Sequence, residues 1–407
     1  MKSTWYCVAG LTGGSEMERI EVYQTEIADR NSAVSSKRPE AALWADADAI
    51  SKHDAIAERF GPCKQVVLIG IGGSSLGVRA VYEALHPRGE AVGKLLVLDT
   101  VDPFSLREAE ALLTSKDALS ESVIVIVSKS GTTLETQANF EALVVRLLKV
   151  YSKEAIYERM VCISDPECEF ARFIANEGGY VVQASFVSGR MSIGTAAGLV
   201  PLRLLGVDIH ALALGMDTGA QAALVKNSQA SSSALVWHLH YESGIRVREI
   251  IVPDPSLFAL GLWMRQLIAE SLGKEGKGFT PDISVATVDY HSTLQLRLDG
   301  SPLTATQFVT SVANPTADEI LGGPHFEGVS ISQIRVAIQQ GVAASYHSRA
   351  RPFEVVELPD ITAQSIGEFL SAAMAEVMFL GHLWEVNTFD QPAVEDYKKV
   401  ARNALNL

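Results

Sequence analysis

The sequence predicts an α/β protein built from two doubly wound parallel sheets. Three observations carry this. Short, continuous runs of β-branched and aliphatic residues are each followed by a turn and then a helical pattern. The alternation recurs in both halves of the 407-residue chain. No low-complexity linker separates the halves. Continuous apolar runs suit strands buried on both faces, as parallel strands are. Their alternation with helices predicts right-handed crossovers.

Met1 to about Phe60 reads as helical and partly polar, with Leu43-Trp44 and Ile50 as apolar points. After Gly61-Pro62 the character changes. Gln65–Ile71 reads as a strand, followed by the glycines Gly70, Gly72, Gly73 and Gly77 and a helix over Arg79–Leu85. Leu95–Asp99 is the next strand, with a helix through Leu113. Val123–Val127 is a β-branched run leading into SKSGTT and a helix from about Glu135 to Val150, and Met160–Ile163 repeats the strand pattern. The second series has helices at Ala196–Leu205, Ala211–Val225 and Ala234–Tyr241. A strand at Arg248–Val252 and a helix at Leu260–Ser271 follow, then strands at Ile283–Val288 and Thr304–Val309. The series closes with a helix at Ser330–Tyr346, a strand at Phe353–Leu358, a long helix at Thr362–Trp384 and a last helix at Val394–Asn406. The expected division is a helical segment over 1–44, α/β domains over 45–185 and 186–385, and a C-terminal loop and helix over 386–407. The site is expected at the strand carboxyl ends.

Composition narrows the function. The chain is 47% hydrophobic and 20% charged, with a net charge of -14. An acidic chain has no overall attraction for nucleic acid or anionic membrane, and it repels anionic substrates at long range. A phosphate site must therefore be built from local donors. Cys7, Cys63, Cys162 and Cys168 form no CxxC pair and no zinc spacing, and they read as reduced thiols of a cytoplasmic protein. The N-terminus lacks the apolar region of a signal peptide, and no apolar run reads as long enough to cross a bilayer.

Two segments carry chemistry. In the first, a buried strand delivers Ser128-Lys129-Ser130-Gly131-Thr132-Thr133 to a helix start. Hydroxyls and backbone amides at a helix N-terminus hold phosphate without high net charge. One hydroxyl would serve as a cap; four within six residues exceed that need. In the second, Gly70 and Gly72 fit a dinucleotide fingerprint, but the third glycine position is Ser75. Asp99 also lies beyond the usual spacing of the ribose-binding acid. The remaining reading of this segment is a tight strand-to-helix turn.

VLIGIGGSSLG followed by VSKSGTTLET resembles the first sugar-isomerase (SIS) domain of the phosphoglucose isomerase family. Further segments follow in that family's order: Ser188-Gly-Arg190-Met-Ser192, Glu270-Ser-Leu-Gly-Lys274, His291-Ser-Thr-Leu-Gln295 and Asn387-Thr-Phe-Asp-Gln391 through Lys398. The resemblance runs from about residue 65 to the C-terminus. It implies two SIS domains, a homodimer with shared active sites, and interconversion of glucose 6-phosphate and fructose 6-phosphate.

The resemblance also implies roles. Glu270, which ends the apolar stretch Leu260–Ala269, is the base that moves a proton between C2 and C1. Arg190 stabilises the enediolate. His291 opens the sugar ring and reaches a neighbouring subunit, and Lys398 assists ring opening or substrate binding. Gln391 bonds phosphate or sugar. Gly72, Ser74, Ser128, Lys129 (through its backbone), Ser130 and Thr133 bind the phosphate end. No step needs a metal or redox cofactor. Ser188, Thr388 and Ala393 depart from the family's usual Gly, Pro and Gly. Two further readings stay open: a non-catalytic sugar-phosphate sensor, and an isomerase of another phosphorylated sugar. Glu270, His291 and Lys398 argue against the sensor.

Overall fold

The computed structural model describes residues 1–6, 14–28, 39–60, 63–115, 117–183, 188–312 and 318–405. Cys7, Gly61, Pro62 and Asn406 lie outside the described residues. In chain order the elements begin with β1 (Lys2–Tyr6), α1 (Gly14–Ile27), α2 (Ala47–Phe60), β2 (Gln65–Ile69), α3 (Leu76–Leu85), β3 (Lys94–Leu98), α4 (Pro103–Thr114) and β4 (Ser122–Val127). Then come α5 (Leu134–Leu147), α6 (Lys153–Tyr157), β5 (Met160–Ser164), α7 (Glu169–Asn176), β6 (Tyr180–Gln183), α8 (Ala196–Leu204), α9 (Ile209–Ala223) and α10 (Gln229–Glu242). The chain continues with β7 (Val247–Val252), α11 (Phe258–Leu272), β8 (Thr280–Val285), α12 (Leu294–Asp299), β9 (Thr304–Ser311), α13 (Ile331–Ser348), β10 (Phe353–Leu358), α14 (Ala363–Trp384) and α15 (Glu395–Ala404).

Contacts divide the chain into two compact units, each made of two stretches. The first unit is Asp29–Asp217 with Phe389–Leu407, and the second is Met1–Ala28 with Thr218–Thr388. This differs from the ranges expected from sequence, because the N-terminal stretch, with β1, and the C-terminal stretch each belong to the unit that is distant in sequence.

The first unit holds an all-parallel sheet of order β3-β2-β4-β5-β6. Its central strands are continuous apolar runs, and Val66–Ile69, Val123–Val127 and Met160–Ile163 are all buried. Each such side chain contributes roughly 1.5–3 kcal/mol relative to exposure. One core cluster joins this sheet to Leu106 and Leu113 of α4, Phe140 and Leu147 of α5, and Ile174 of α7. Helix α8 packs on β2 and β4 beside α2 and α3.

The second unit holds a sheet of order β1-β10-β9-β7-β8, parallel except for β1. Its parallel strands repeat the arrangement of the first four in the other sheet: the first strand in sequence is central, the second lies at one side, and the third and fourth lie on the other. Helix α14 packs against α1, α10 and α11.

Several expectations are corrected. Lys2–Tyr6 is not helical but a strand, paired antiparallel with β10 from Lys2↔Glu357 to Tyr6↔Phe353. The expected strand Ile283–Val288 ends at Val285, and Val288 opens a short 3-10 turn. Helix α7 and strand β6 add to the elements expected from sequence; β6 is a half-exposed edge strand with little apolar signal. Helix α14 is long and apolar enough to cross a membrane by length and composition. However, 83% of its apolar window is buried, so burial in the unit accounts for its hydropathy.

Candidate active site

The first sheet reverses strand order between β2 and β4, where binding crevices form in doubly wound folds. Both chemistry-bearing turns leave the sheet there. Ile69 pairs with Ile126, so the turn after β2 and the loop after β4 emerge side by side.

The Ser128–Thr133 loop is anchored below and open above. Ser128 is buried; its amide donates to the Ile163 carbonyl at 3.1 Å, and its hydroxyl reaches Thr133 Oγ1 at 3.4 Å. The Lys129 carbonyl accepts from the Asp165 amide at 3.1 Å, while the Lys129 side chain is exposed. Gly131 has φ +66°, and a Cβ there would lie 2.5 Å from Phe170 Cβ, so both backbone conformation and packing require glycine. Gln137 Nε2 donates to the Gly131 carbonyl at 2.8 Å. Thr133 caps α5 without a side-chain capping bond. The hydroxyls of Ser130 and Thr132 bond each other at 2.6 Å. The amides of Ser130, Gly131 and Thr133 donate to no described residue. Amides without a described partner at the start of a 14-residue helix are the arrangement that can hold an anion.

The turn after β2 contributes a second wall. Gly72–Ser74 is a 3-10 turn, Gly72 has φ +58°, and the Ser74 hydroxyl bonds to no described residue. A Cβ on Gly73 would lie 2.0 Å from the Gly189 carbonyl carbon and 2.3 Å from the Arg190 amide. The two backbones thus approach closely at Gly189, one residue after the Ser188 that replaces the family's usual Gly. Ser188 itself is buried.

Arg190 is buried, at 1% exposure. Its Nη1 donates to Gln391 Oε1 at 2.9 Å, and its Nη2 donates to the Asp390 carbonyl at 3.0 Å. The structure thus brings together Arg190 and Gln391, which are 201 residues apart in sequence. Lys398 lies on the exposed helix α15, where its Nζ meets Glu395 Oε1 at 2.7 Å. Arg402, one turn further on, donates to the Thr132 carbonyl. Sequence reasoning missed Arg402, Asp390 and Gln137. Asp390 lies inside the Asn387–Gln391 segment but acts through its backbone carbonyl, Gln137 and Arg402 lie outside the quoted segments, and an arginine on a short helix carries no pattern of its own.

The second unit carries the remaining candidates. Glu270 sits in the last turn of α11, half-buried, and accepts from Gln266 Nε2 at 3.0 Å. Lys274 follows it and donates to the carbonyls of Ser271 and Asn387. His291 is exposed at the end of the 3-10 turn after β8, and Gln295 lies at the start of α12. In this unit the ionisable groups are sunk into the sheet. Arg248 Nη1 meets Glu376 Oε1 at 2.5 Å, and Arg248 Nη2 donates to Gln307 Oε1 at 3.0 Å. Gln307 Nε2 donates to Glu354 Oε2 at 2.6 Å. Burial pushes the Glu249 carboxyl above its ordinary range, opposed by the Arg297 guanidinium at 3.0 Å and by hydroxyl donors from Thr306 and Ser284.

Cys162 and Cys168 are free thiols, and burial pushes Cys162 up to about 12. No group of three or more His, Cys, Asp or Glu side chains among the described residues is placed to hold a metal.

Comparison with known proteins agrees with this geometry. The chain is 34% identical over 367 residues to a protein of Haloarcula marismortui named probable glucose-6-phosphate isomerase, covering 87% of this chain and 81% of that one. It is 32% identical over 347 residues to the glucose-6-phosphate isomerase of Methanocaldococcus jannaschii, covering 83% of each. A hypothetical protein from Thermus thermophilus superposes with a TM-score of 0.85 at 26% identity, covering 96% of this chain and 95% of that one. The glucose-6-phosphate isomerase of Chlamydia trachomatis shares the fold, with a TM-score of 0.77 at 20% identity over 98% of this chain and 80% of that one. The sequence pattern of phosphoglucose isomerase matches residues 47–406, and the chain belongs to the phosphoglucose isomerase family.

Proposed function

We propose that this protein is a glucose-6-phosphate isomerase, an aldose–ketose isomerase of glycolysis and gluconeogenesis. The observation that carries the reading is the set of unbonded donors at the switch point of the first sheet. The amides of Ser130, Gly131 and Thr133 and the hydroxyl of Ser74 bond to no described residue, which supports their assignment as donors to the substrate's phosphate. The family match and the names of the relatives supply the rest.

In this reading Ser74, Ser128, Ser130 and Thr133 hold the phosphate, with the Lys129 backbone, and Gly72 allows close approach. The unreactive end of the sugar is thereby fixed. His291 and Lys398 handle the protons of ring opening. The Glu270 carboxylate removes the C2 proton, and the electron pair moves toward the C1 carbonyl oxygen, giving a cis-enediol intermediate as its enediolate, in which the O2 hydroxyl proton passes to O1. Return of the proton to C1 gives the ketose. The Arg190 guanidinium stabilises the negative charge that develops on oxygen. Gln391, bonded to Arg190, completes the polar wall. We further place the enzyme in the cytoplasm, as a homodimer in which His291 serves the neighbouring subunit's site. The exposure of His291 within one chain supports that assignment.

A coupled assay of fructose 6-phosphate formation from glucose 6-phosphate tests the reading. Glu270→Gln should lower kcat about thousandfold, the weight of a general base, with KM little changed. Full turnover in that variant would remove Glu270 from the role. Fructose 6-phosphate binding without turnover by the parent protein would favour a sensor.

A further inference from the structure

The phosphate loop is gripped from outside by the C-terminal helix. Arg402 on α15 donates to the carbonyl of Thr132. The Thr132–Thr133 peptide is trans, so its carbonyl and the Thr133 N–H point in opposite directions. A guanidinium that holds the carbonyl on one side fixes the amide on the other. That amide is one of the loop donors with no partner among the described residues. The Thr132 amide is already engaged with Ser130 Oγ at 3.3 Å, so within this turn Arg402 acts on the next peptide, the one that carries the Thr133 amide.

The same helix carries Lys398 four residues earlier, on the same face. The segment leading into the helix is tied to Arg190 through Asp390 and Gln391. The C-terminal stretch is thus pinned at two points, one at the buried arginine and one at the phosphate loop.

We propose that Arg402 is a positioning residue: it orients the Thr132–Thr133 peptide so that the Thr133 amide is presented to the substrate's phosphate, and it ties anion binding to the seating of the helix that bears Lys398. The proposal rests on the isomerase reading for its substrate but not for its test. Arg402 touches no reacting atom in this scheme, and its guanidinium also brings local positive charge to a chain of net charge -14.

The test uses the full-length chain, with inorganic phosphate as the probe by calorimetry and fructose 6-phosphate kinetics alongside. Arg402→Ala should weaken phosphate binding about tenfold and raise KM by the same factor, the weight of one charge-assisted hydrogen bond. Arg402→Lys, which keeps a donor, should stay within about threefold of the parent. The ratio of Arg402→Ala to parent should persist at about 0.5 M salt, where interactions between exposed charges are screened. Parent-like phosphate affinity in Arg402→Ala overturns the proposal. So does a defect that vanishes in high salt, since that identifies charge attraction alone. If Arg402→Ala does not fold, an Arg402→Lys variant that binds phosphate as poorly as a Ser130→Ala/Thr133→Ala control overturns it. Lack of isomerase turnover in the parent would count against the isomerase reading and leave the phosphate titration to judge Arg402.

Discussion

The two sheets share the arrangement of their first four parallel strands but are filled differently. In the first unit the central strands β2 and β4 are aliphatic over Val66–Ile69 and Val123–Val127, no charged residue lies within them, and their polar residues fall at the strand ends, at Gln65 and Ser122, and in the turns beyond, at Gly70 and Ser128. In the second, Arg248, Glu249, Gln307 and Glu354 lie within the strands themselves and are buried. The first sheet is a plain support that exports its hydrogen-bonding capacity to its rim. The second consumes that capacity internally, each charge being held by another side chain. Burying a paired charge gains little net stability, but stranding one is expensive. The second unit should therefore respond to single substitutions and to pH far more sharply than the first.

The strongest way to break this comparison is to cut the buried network and the aliphatic core separately. Arg248→Ala leaves Glu376 buried without its guanidinium and should cost about 3–5 kcal/mol in denaturant unfolding. Ile126→Val in β4 should cost about 1 kcal/mol. Equal losses would erase the distinction.

A second probe is His240, which burial holds neutral by depressing its pKa from 6.5 to about 4. The unfolded chain takes up a proton below pH 6.5 while the folded chain does not. Stability is therefore complete above 6.5 and falls as the pH drops toward 4, by about 3 kcal/mol. Melting temperature measured across that window should slope less steeply in His240→Phe than in the parent. Parallel slopes would show that burial does not govern this histidine.

The smallest effect belongs to the rim of the first sheet. Ser74→Ala should raise KM about tenfold through one lost bond to a charged phosphate, with no measurable change in melting temperature. A loss of stability there would mean that the rim also supports the fold.

Much of this was legible in the sequence, and the reason is physical. Continuous β-branched runs such as Val123–Val127 permit few alternatives to a buried parallel strand, and the hydroxyl-rich loop after it has more polar groups than a cap needs. The resemblance placed Arg190 and Gln391 on the site's roster, but only the fold shows that one bonds the other. Strand β1 was not legible, because Lys2–Tyr6 is short, and pairing with a distant edge strand leaves no local pattern. Arg402 was illegible for a related reason: its partner is a backbone carbonyl, which has no sequence signature. Ser188 looks like a defect in the glycine pair, yet the tight contact falls on Gly189 against Gly73.

The interleaving of the two units sets an order of events during synthesis. Strand β1 is made long before β10, its partner in the sheet. Arg190 is translated well before its acceptors at Asp390 and Gln391, which follow 200 and 201 residues later. A nascent or prematurely terminated chain thus holds a guanidinium destined for burial without two of its acceptors, together with an unpaired strand. Both mark an unfinished molecule for retention by chaperones or for degradation. Each unit is made of two stretches separated in sequence, so each closes only when both of its stretches have been made.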